Sequence, residues 1–129
     1  ATKNKIPLFG VCRGMQIINK FFDGTVSVNE KSNHVGKHHT VNIVNRNFFR
    51  FFKNRNAKVN SFHNNLIYTE NLGCDLIPFA TVSGDGTVEG FFHKFFPIIG
   101  VMWHPERRTT IESKTLLKHF FVKNPLFIH

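Results

Sequence analysis

A cysteine between two glycines is the first feature of this sequence that could do chemistry. Cys12 stands in GVCRGMQ, where an apolar run gives way to a helical pattern, with Gly10 and Gly14 on either side. A helix N-terminus lowers the pKa of a thiol and so makes it a better nucleophile. Glycines at this spacing are typical of a nucleophile elbow, since a side chain would crowd the turn. Cys12 is therefore either a small core residue or a nucleophile, and in the second case the N–H of Arg13 can bind an oxyanion.

A histidine followed closely by a glutamate is the second such feature. In VMWHPER, His104 comes directly after an apolar run, and Glu106 lies beyond a proline that stiffens the turn. A cysteine nucleophile needs a base and a group that orients the base, and these two residue types supply both. Each motif alone has an ordinary structural explanation. Two strand ends bearing a thiol elbow and a His-x-Glu are much harder to obtain together by chance.

The elements that must position these residues are two strands and a helix. Residues 6–11 and 98–103 are short apolar runs, typical of parallel strands covered on both faces. Parallel strands of one sheet end at the same edge, so Cys12 and His104 are expected to meet there. A helix is predicted directly after Cys12, with Asp23-Gly24 as its stop signal.

The rest of the chain predicts a mixed α/β fold with parallel strands, one antiparallel hairpin and no domain boundary. The GDG sequence at 84–86 is the hairpin signal. Residues 26–37 are expected to form a loop, 45–56 one short helical turn, and 110–122 a last helix. Alternating or apolar runs predict further strands at residues 39–44, 58–60, 76–83 and 87–92.

Composition excludes several classes of protein. The 129 residues suffice for one domain, and no segment resembles a signal peptide or approaches the roughly 20 apolar residues of a membrane span, so a cytoplasmic protein without a membrane partner is expected. The net charge of +9 comes from scattered Lys and Arg without a recognition helix, so nucleic-acid binding is not favoured. Cys74 is expected to be a buried or half-buried thiol without a disulfide partner. His34, His38 and His39 match no metal-ligand spacing, and neither a metal nor a cofactor is predicted.

Four motifs, in order, resemble the class I glutamine amidotransferase-like family and in particular its γ-glutamyl hydrolase branch, the peptidase C26 group. GVCRGMQ is similar to the elbow of that branch, VNSFHNN to its substrate-side loop, GDGTVEG to its hairpin and VMWHPER to its histidine–glutamate strand end. The resemblance implies a flavodoxin-like three-layer sandwich and a Cys12–His104–Glu106 triad. Such a triad cleaves a γ-glutamyl amide of a small molecule through a thioester, with the Arg13 N–H on the oxyanion.

The resemblance also implies residues that hold the glutamyl group. Gln16 matches the glutamine beside the nucleophile, and Ser61 and His63 match the loop that approaches the α-amino and α-carboxylate ends. Ordinary roles remain open for all of them: a solvated helix residue for Gln16, a turn cap for Ser61 and a structural histidine for His63.

The position of the elbow departs from the family pattern. Family members have several strands and helices before it, including a glycine-containing loop that gives the second oxyanion N–H. Here the elbow strand begins within ten residues of Ala1, so residues 1–129 are expected to be the C-terminal portion of a peptidase C26 domain, truncated at its N-terminal side. Alone, such a chain is expected to be nearly inactive and self-associating, unless a synthase or another partner supplies the missing half.

These expectations leave three functions open. The first is a hydrolase of γ-glutamyl amides, favoured by CRGMQ. MWHPER also resembles family members that act on γ-glutamyl-nucleotides in surface-polysaccharide biosynthesis. The second is a glutaminase domain that delivers ammonia to a synthase. The third is a catalytically silent truncated remnant that acts as a binding module.

Overall fold

The structure, a computed structural model, describes residues 6–28, 37–51, 56–61, 65–82 and 86–103. Within these ranges the chain forms one α-helix, α1 (Arg13–Phe21), and 3-10 helices at Arg46–Phe51 and Thr69–Asn71. The strands are, in chain order, β1 (Leu8–Val11), β2 (Ser27–Val28), β3 (Lys37–Ile43), β4 (Asn56–Ser61), β5 (Asn65–Leu66), β6 (Leu76–Val82), β7 (Val88–His93) and β8 (Ile98–Val101).

The described strands form two sheets. Six of them build a mixed sheet in the order β1-β8-β7-β6-β3-β4, and β2 pairs with β5 in a separate antiparallel ribbon. β1 and β8 are parallel, with Leu8 opposite Ile98 and Val11 opposite Val101. The mixed α/β class, the parallel pairing of these two strands and the β6–β7 hairpin are therefore confirmed.

The expectation of a single antiparallel hairpin is wrong. In the described sheet β3–β4, β3–β6, β6–β7 and β7–β8 are all antiparallel, which leaves β1–β8 as its one parallel pair. The reason for the β7–β8 orientation is the short connection from His93 to Ile98. A parallel neighbour would need a crossover of about a dozen residues or more, which this connection cannot provide.

Apolar side chains cover both faces of the six-stranded sheet. Along β8 and the two residues that follow it they alternate between the faces, as a strand requires. The cluster on the α1 face comprises Met15, Ile18, Ile67, Leu76, Val88, Phe91, Ile98 and Met102. The cluster on the opposite face comprises Val41, Ile43, Phe48, Phe79, Ala80, Phe92, Ile99, Val101 and Trp103. Since β8 is buried at every position, the strand end that leads to residue 104 is held between two packed layers.

Most of the other predicted elements that fall on described residues are confirmed. The structure confirms the helix after Cys12, the helical turn within 45–56 and the strand around 58–60. The strand predicted over 39–44 is also confirmed, although it ends at Ile43. The loop predicted over 26–37 is wrong in part, because β2 lies within it and β3 begins at Lys37. The helix predicted over 110–122 lies outside the described residues. Among the helices that are described, none has the length and apolar character needed to cross a membrane.

Candidate active site

Cys12 occupies a strained turn between β1 and α1. Its backbone has φ 53° and ψ −105°, a region that costs a residue other than glycine about 1–3 kcal/mol and that is concentrated at functional sites. The Cys12 N–H donates to the carbonyl of Val101 at 2.8 Å, and its carbonyl accepts from the Gln16 N–H at 3.2 Å. The half-buried thiol is thus fixed on a sharp strand-to-helix turn beside the end of β8, which is the geometry of a nucleophile elbow.

The two glycines of the elbow have different roles. A Cβ on Gly10 would lie 2.5 Å from Ile18 Cδ1 and 2.9 Å from the Gly14 carbonyl carbon, so the strand and helix can approach this closely only without a side chain. A Cβ on Gly14 would meet no described atom within 4 Å. The expectation that a side chain would crowd the turn is therefore confirmed for Gly10, while at Gly14 no described atom would be crowded.

Arg13 is the first residue of α1, and its side chain is exposed. The first N–H groups of a helix have no acceptor within the helix, so the Arg13 N–H is geometrically available beside Cys12. The first turn of α1 contains no acidic residue that would neutralise the positive end of the helix dipole. This end of the helix therefore favours an anion, whether a thiolate or an oxyanion.

Gln16 lies on α1 one turn after the cysteine and is half-buried. Its Nε2 donates to the sulfur of Met102 at 3.8 Å, so the interpretation of Gln16 as a merely solvated helix residue does not hold. Met102 directly follows β8, and this contact ties the helix to the strand end that leads to residue 104. No described atom shows whether Gln16 also holds a substrate, and that role stays a prediction.

The strand ends on which the proposed triad depends do share one edge. Val11 is opposite Val101 in the parallel pair, and the bond from the Cys12 N–H continues that pairing by one residue. His104, which directly follows the last described residue, and Glu106 both lie outside the described residues. The triad as a whole therefore remains a prediction, while the edge on which it would assemble is in place.

Ser61 ends β4 at the same edge of the sheet as Cys12. β3 pairs with β6 only from Val41 to Ile43, so the part of the β3–β4 ribbon that ends at the Lys37–Ser61 pair extends past the end of β6. The strand directions put this extension on the edge where Cys12 lies, although β8, β7, β6 and β3 separate β4 from β1. His63 lies outside the described residues.

The chain returns toward the site after that loop. The backbone N–H of Val88, at the start of β7, donates to the Ile67 carbonyl at 2.7 Å, and Tyr68 bridges to Thr87. Ile67 is buried on the α1 face. The segment around Ile67 and Tyr68 thus lies beside the start of β7, one strand away from β8.

The prediction that Cys74 is a buried or half-buried thiol is wrong. Cys74 is exposed, because it lies in the turn before β6, where its backbone N–H donates to the Phe22 carbonyl at 2.6 Å and Asp75 has φ 62°. The backbone is anchored there and the side chain points outward. Nor does the described part of the chain bring together three His, Cys, Asp or Glu side chains able to hold a metal ion.

Glu89 is a residue that the sequence analysis did not single out. It lies in β7, is 1% exposed, and its carbonyl accepts from the Met102 N–H at 2.8 Å. The available signal was a charged residue within an apolar strand of the GDGTVEG motif.

Residues 1–124 match the class I glutamine amidotransferase family, and the chain belongs to that family. Among its relatives is the γ-glutamyl-CDP-amidate hydrolase of Campylobacter jejuni, which is 40% identical over 119 residues, covering 92% of this chain and 52% of the relative. Component 2 of the aminodeoxychorismate/anthranilate synthase of Bacillus subtilis is 32% identical, covering 90% of this chain and 58% of the relative. The TrpGD bifunctional protein of Thermotoga maritima is 33% identical over 90% of this chain and 19% of its own length.

Solved structures show the same fold. A GMP synthase-type protein of Thermoplasma acidophilum superposes with a TM-score of 0.75 at 26% identity, covering 91% of this chain and 56% of that one. A glutamine amidotransferase of Thermotoga maritima superposes with a TM-score of 0.67 at 22% identity, covering 98% and 54%. The chain thus spans about half the length of both structures and of the Campylobacter relative.

Proposed function

We propose that this protein is a cysteine hydrolase that cleaves the γ-glutamyl amide bond of a γ-glutamyl-nucleotide. The observation that supports it most directly is Cys12 itself: a strained residue at the N-terminus of α1, hydrogen-bonded to the end of β8. Strain of this kind is maintained only where the surrounding structure imposes it. A core cysteine would not require it.

The first half of the reaction forms a thioester. The Cys12 sulfur attacks the γ-carbonyl carbon of the substrate while His104 takes the thiol proton. The carbonyl oxygen becomes an oxyanion that accepts a hydrogen bond from the Arg13 N–H. As the tetrahedral intermediate collapses, the carbon–nitrogen bond breaks, and His104 gives its proton to the leaving nitrogen.

The second half releases glutamate. Water attacks the thioester carbonyl, His104 takes a proton from it, and the sulfur leaves and recovers a proton. Glu106 keeps the imidazole in the orientation that both steps need and stabilises its protonated form. Gln16, Ser61 and His63 hold the glutamyl group through both halves.

The nucleotide part of the proposal draws on the Campylobacter relative, named for a γ-glutamyl-CDP-amidate. The net charge of +9 suits a substrate with a diphosphate. The leaving group would then be a nucleoside diphosphate whose terminal phosphorus bears an amide nitrogen, and that nitrogen stays with the nucleotide.

The test compares substrates on the protein as its gene encodes it, purified together with any segment that precedes or follows residues 1–129. Glutamate release is measured from γ-glutamyl-CDP-amidate, from glutamine and from simple γ-glutamyl amines at equal concentrations. The proposal predicts the highest kcat/KM for the nucleotide, and a clear preference for either of the other classes contradicts it.

A second candidate is a glutaminase that supplies ammonia to a synthase. It is favoured by relatives that are synthase components, including the carbamoyl phosphate synthase small chain of Lactococcus lactis at 32% identity. In that case glutamine is the preferred substrate, and its hydrolysis rises when the synthase partner is added.

A further inference from the structure

Glu89 is a buried carboxyl group that the proposed mechanism does not use. It is 1% exposed, and its Oε2 atom is closed off from solvent. Burying a carboxylate is costly even when it is paired. A buried ionisable side chain at the edge of a site is therefore a candidate for function rather than for packing.

A β-bulge puts Glu89 in its position. The register between β6 and β7 runs from Ala80 opposite Gly90 to Thr81 opposite Val88, so Glu89 is the extra residue. Bulges of this kind occur beside active sites, where they redirect a side chain. Side chains alternate between the two faces along a strand, so without this extra residue Val88 would lie on the opposite face of the sheet.

Backbone hydrogen bonds connect Glu89 to the nucleophile. The Glu89 carbonyl accepts from the Met102 N–H, and the Val101 carbonyl accepts from the Cys12 N–H, both at 2.8 Å. Gly90 lies opposite Val101, and Val101 lies opposite Val11. Glu89 on β7, the end of β8 and Cys12 after β1 therefore lie next to one another at one edge of the sheet. Met102, whose N–H donates to Glu89, is two residues before His104.

Charged side chains also occur on the neighbouring described elements. Among the described residues of β1, α1, β6, β7 and β8, Glu89 is the one acidic side chain. The cations of α1, Arg13 and Lys20, are both exposed. His93 lies at the opposite end of β7, where its Nδ1 accepts from the N–H groups of Phe95 and Phe96.

We propose that Glu89 is a positioning residue of this site, whose buried negative charge sets the protonation of Cys12 and of its base. The inference rests on the cysteine chemistry proposed above. A negative charge raises the pKa of every titrating group near it, thiol and imidazole alike. Removing the charge therefore moves both limbs of a pH–rate profile to lower pH, whichever group each limb reports.

The experiment compares Glu89→Gln, which keeps the shape and loses the charge, with Glu89→Asp, which keeps the charge and changes the shape. Both are made in a Cys74→Ala background, because exposed Cys74 also reacts with thiol reagents. The rate of alkylation by iodoacetamide is followed across pH, together with hydrolysis of the γ-glutamyl-nucleotide. Thermal melts check that each variant is folded.

The Gln variant is expected to shift the pH midpoint of alkylation downward by about 0.5–1 unit, while the Asp variant keeps the midpoint of the parent protein. A purely structural role gives the reverse order, and a Gln variant with an unshifted midpoint overturns the proposal. If the Gln variant does not fold, the Asp variant decides: a lowered midpoint overturns the proposal and an unchanged one supports it.

Alkylation needs no substrate, so the two proposals fail separately. A parent protein that hydrolyses no γ-glutamyl amide contradicts the proposed function, even where the Gln variant shifts the alkylation midpoint. An active parent whose midpoint does not depend on the charge at residue 89 contradicts the role of Glu89 alone.

Discussion

The two ends of helix α1 are built in opposite ways. At its N-terminus Cys12 has a strained backbone without a side-chain cap, and the adjacent Arg13 is exposed. At the C-terminal end Asn19 is fully buried; its Nδ2 donates to the carbonyls of Thr25 and Asn71 at 2.9 and 3.1 Å, and its Oδ1 accepts from the Gly73 N–H at 2.8 Å. The polar groups at that end are satisfied.

This difference separates chemistry from stability along one short helix. Backbone strain at the N-terminal end is typical of a functional site, and it lowers stability. The packed end with Asn19 offsets that loss, because it joins α1 to the segments around Thr25 and Gly73. Substitutions at the first end should change activity, and those at the second should change the free energy of unfolding.

The largest effect is expected from Cys12→Ala. The variant should lose at least about 10³-fold in kcat/KM, because the thioester cannot form, while its thermal midpoint stays near that of the parent. Cys74→Ala is the matched control and should retain both activity and stability. Substantial hydrolysis by Cys12→Ala would show that the strained end of α1 is not the source of the nucleophile.

Substitutions of the base His104 and of its orienting residue Glu106 should lower the rate by different amounts. His104→Ala removes the proton carrier and should cost about 10²–10⁴ in rate. Glu106→Gln should cost less, because it leaves the imidazole in place and removes only its orientation and charge stabilisation. Equal inactivity of the two variants, both folded by circular dichroism, would contradict this division of roles.

The stable end is tested by Asn19→Ala. Loss of three hydrogen bonds leaves buried backbone groups unpaired, and the free energy of unfolding should fall by about 3 kcal/mol. Activity per folded molecule should be retained at low temperature. Lys20→Ala, exposed on the same helix, is the control and should change stability by less than about 0.5 kcal/mol. Similar urea midpoints for Asn19→Ala and Lys20→Ala would contradict the stabilising role assigned to the C-terminal end of α1.

The smallest effects come from the two glycines. Gly10→Ala should destabilise by about 1–3 kcal/mol through overpacking against Ile18 and the Gly14 backbone. Gly14→Ala should raise stability by about 0.5–1 kcal/mol, because alanine is the better helix former and its Cβ meets no described atom. Urea titration of both variants measures the difference, and equal destabilisation would mean that Gly14 is not open.

Sequence alone predicted the elements whose signals are local. The β1–α1 junction follows from an apolar run, a glycine and a helical pattern, and the β6–β7 hairpin from GDG, where Gly86 has φ 73°. The ribbon of β2 and β5 could not be predicted, because each strand is too short for a period and forms only through its partner. The exposure of Cys74 likewise depends on chain segments distant in sequence.

The candidate site was predictable to the same extent. Cys12 was identified from its own neighbours, and the shared edge from the apolar character of the two strands. Glu89 was missed, because its position depends on a bulge created by the register between β6 and β7. Registers across strands are set by packing on both faces and leave little trace in a single segment.

The most direct test of the central claim is the selectivity of a γ-glutamyl electrophile. The protein is treated at neutral pH with a glutamine analogue that has a reactive ketone at the γ position, then digested, and the labelled peptides are identified by mass spectrometry. If α1 activates Cys12 and the site binds a glutamyl group, the label will be found on Cys12 and not on Cys74, although Cys74 is the more exposed thiol. Equal labelling of the two cysteines would contradict the account.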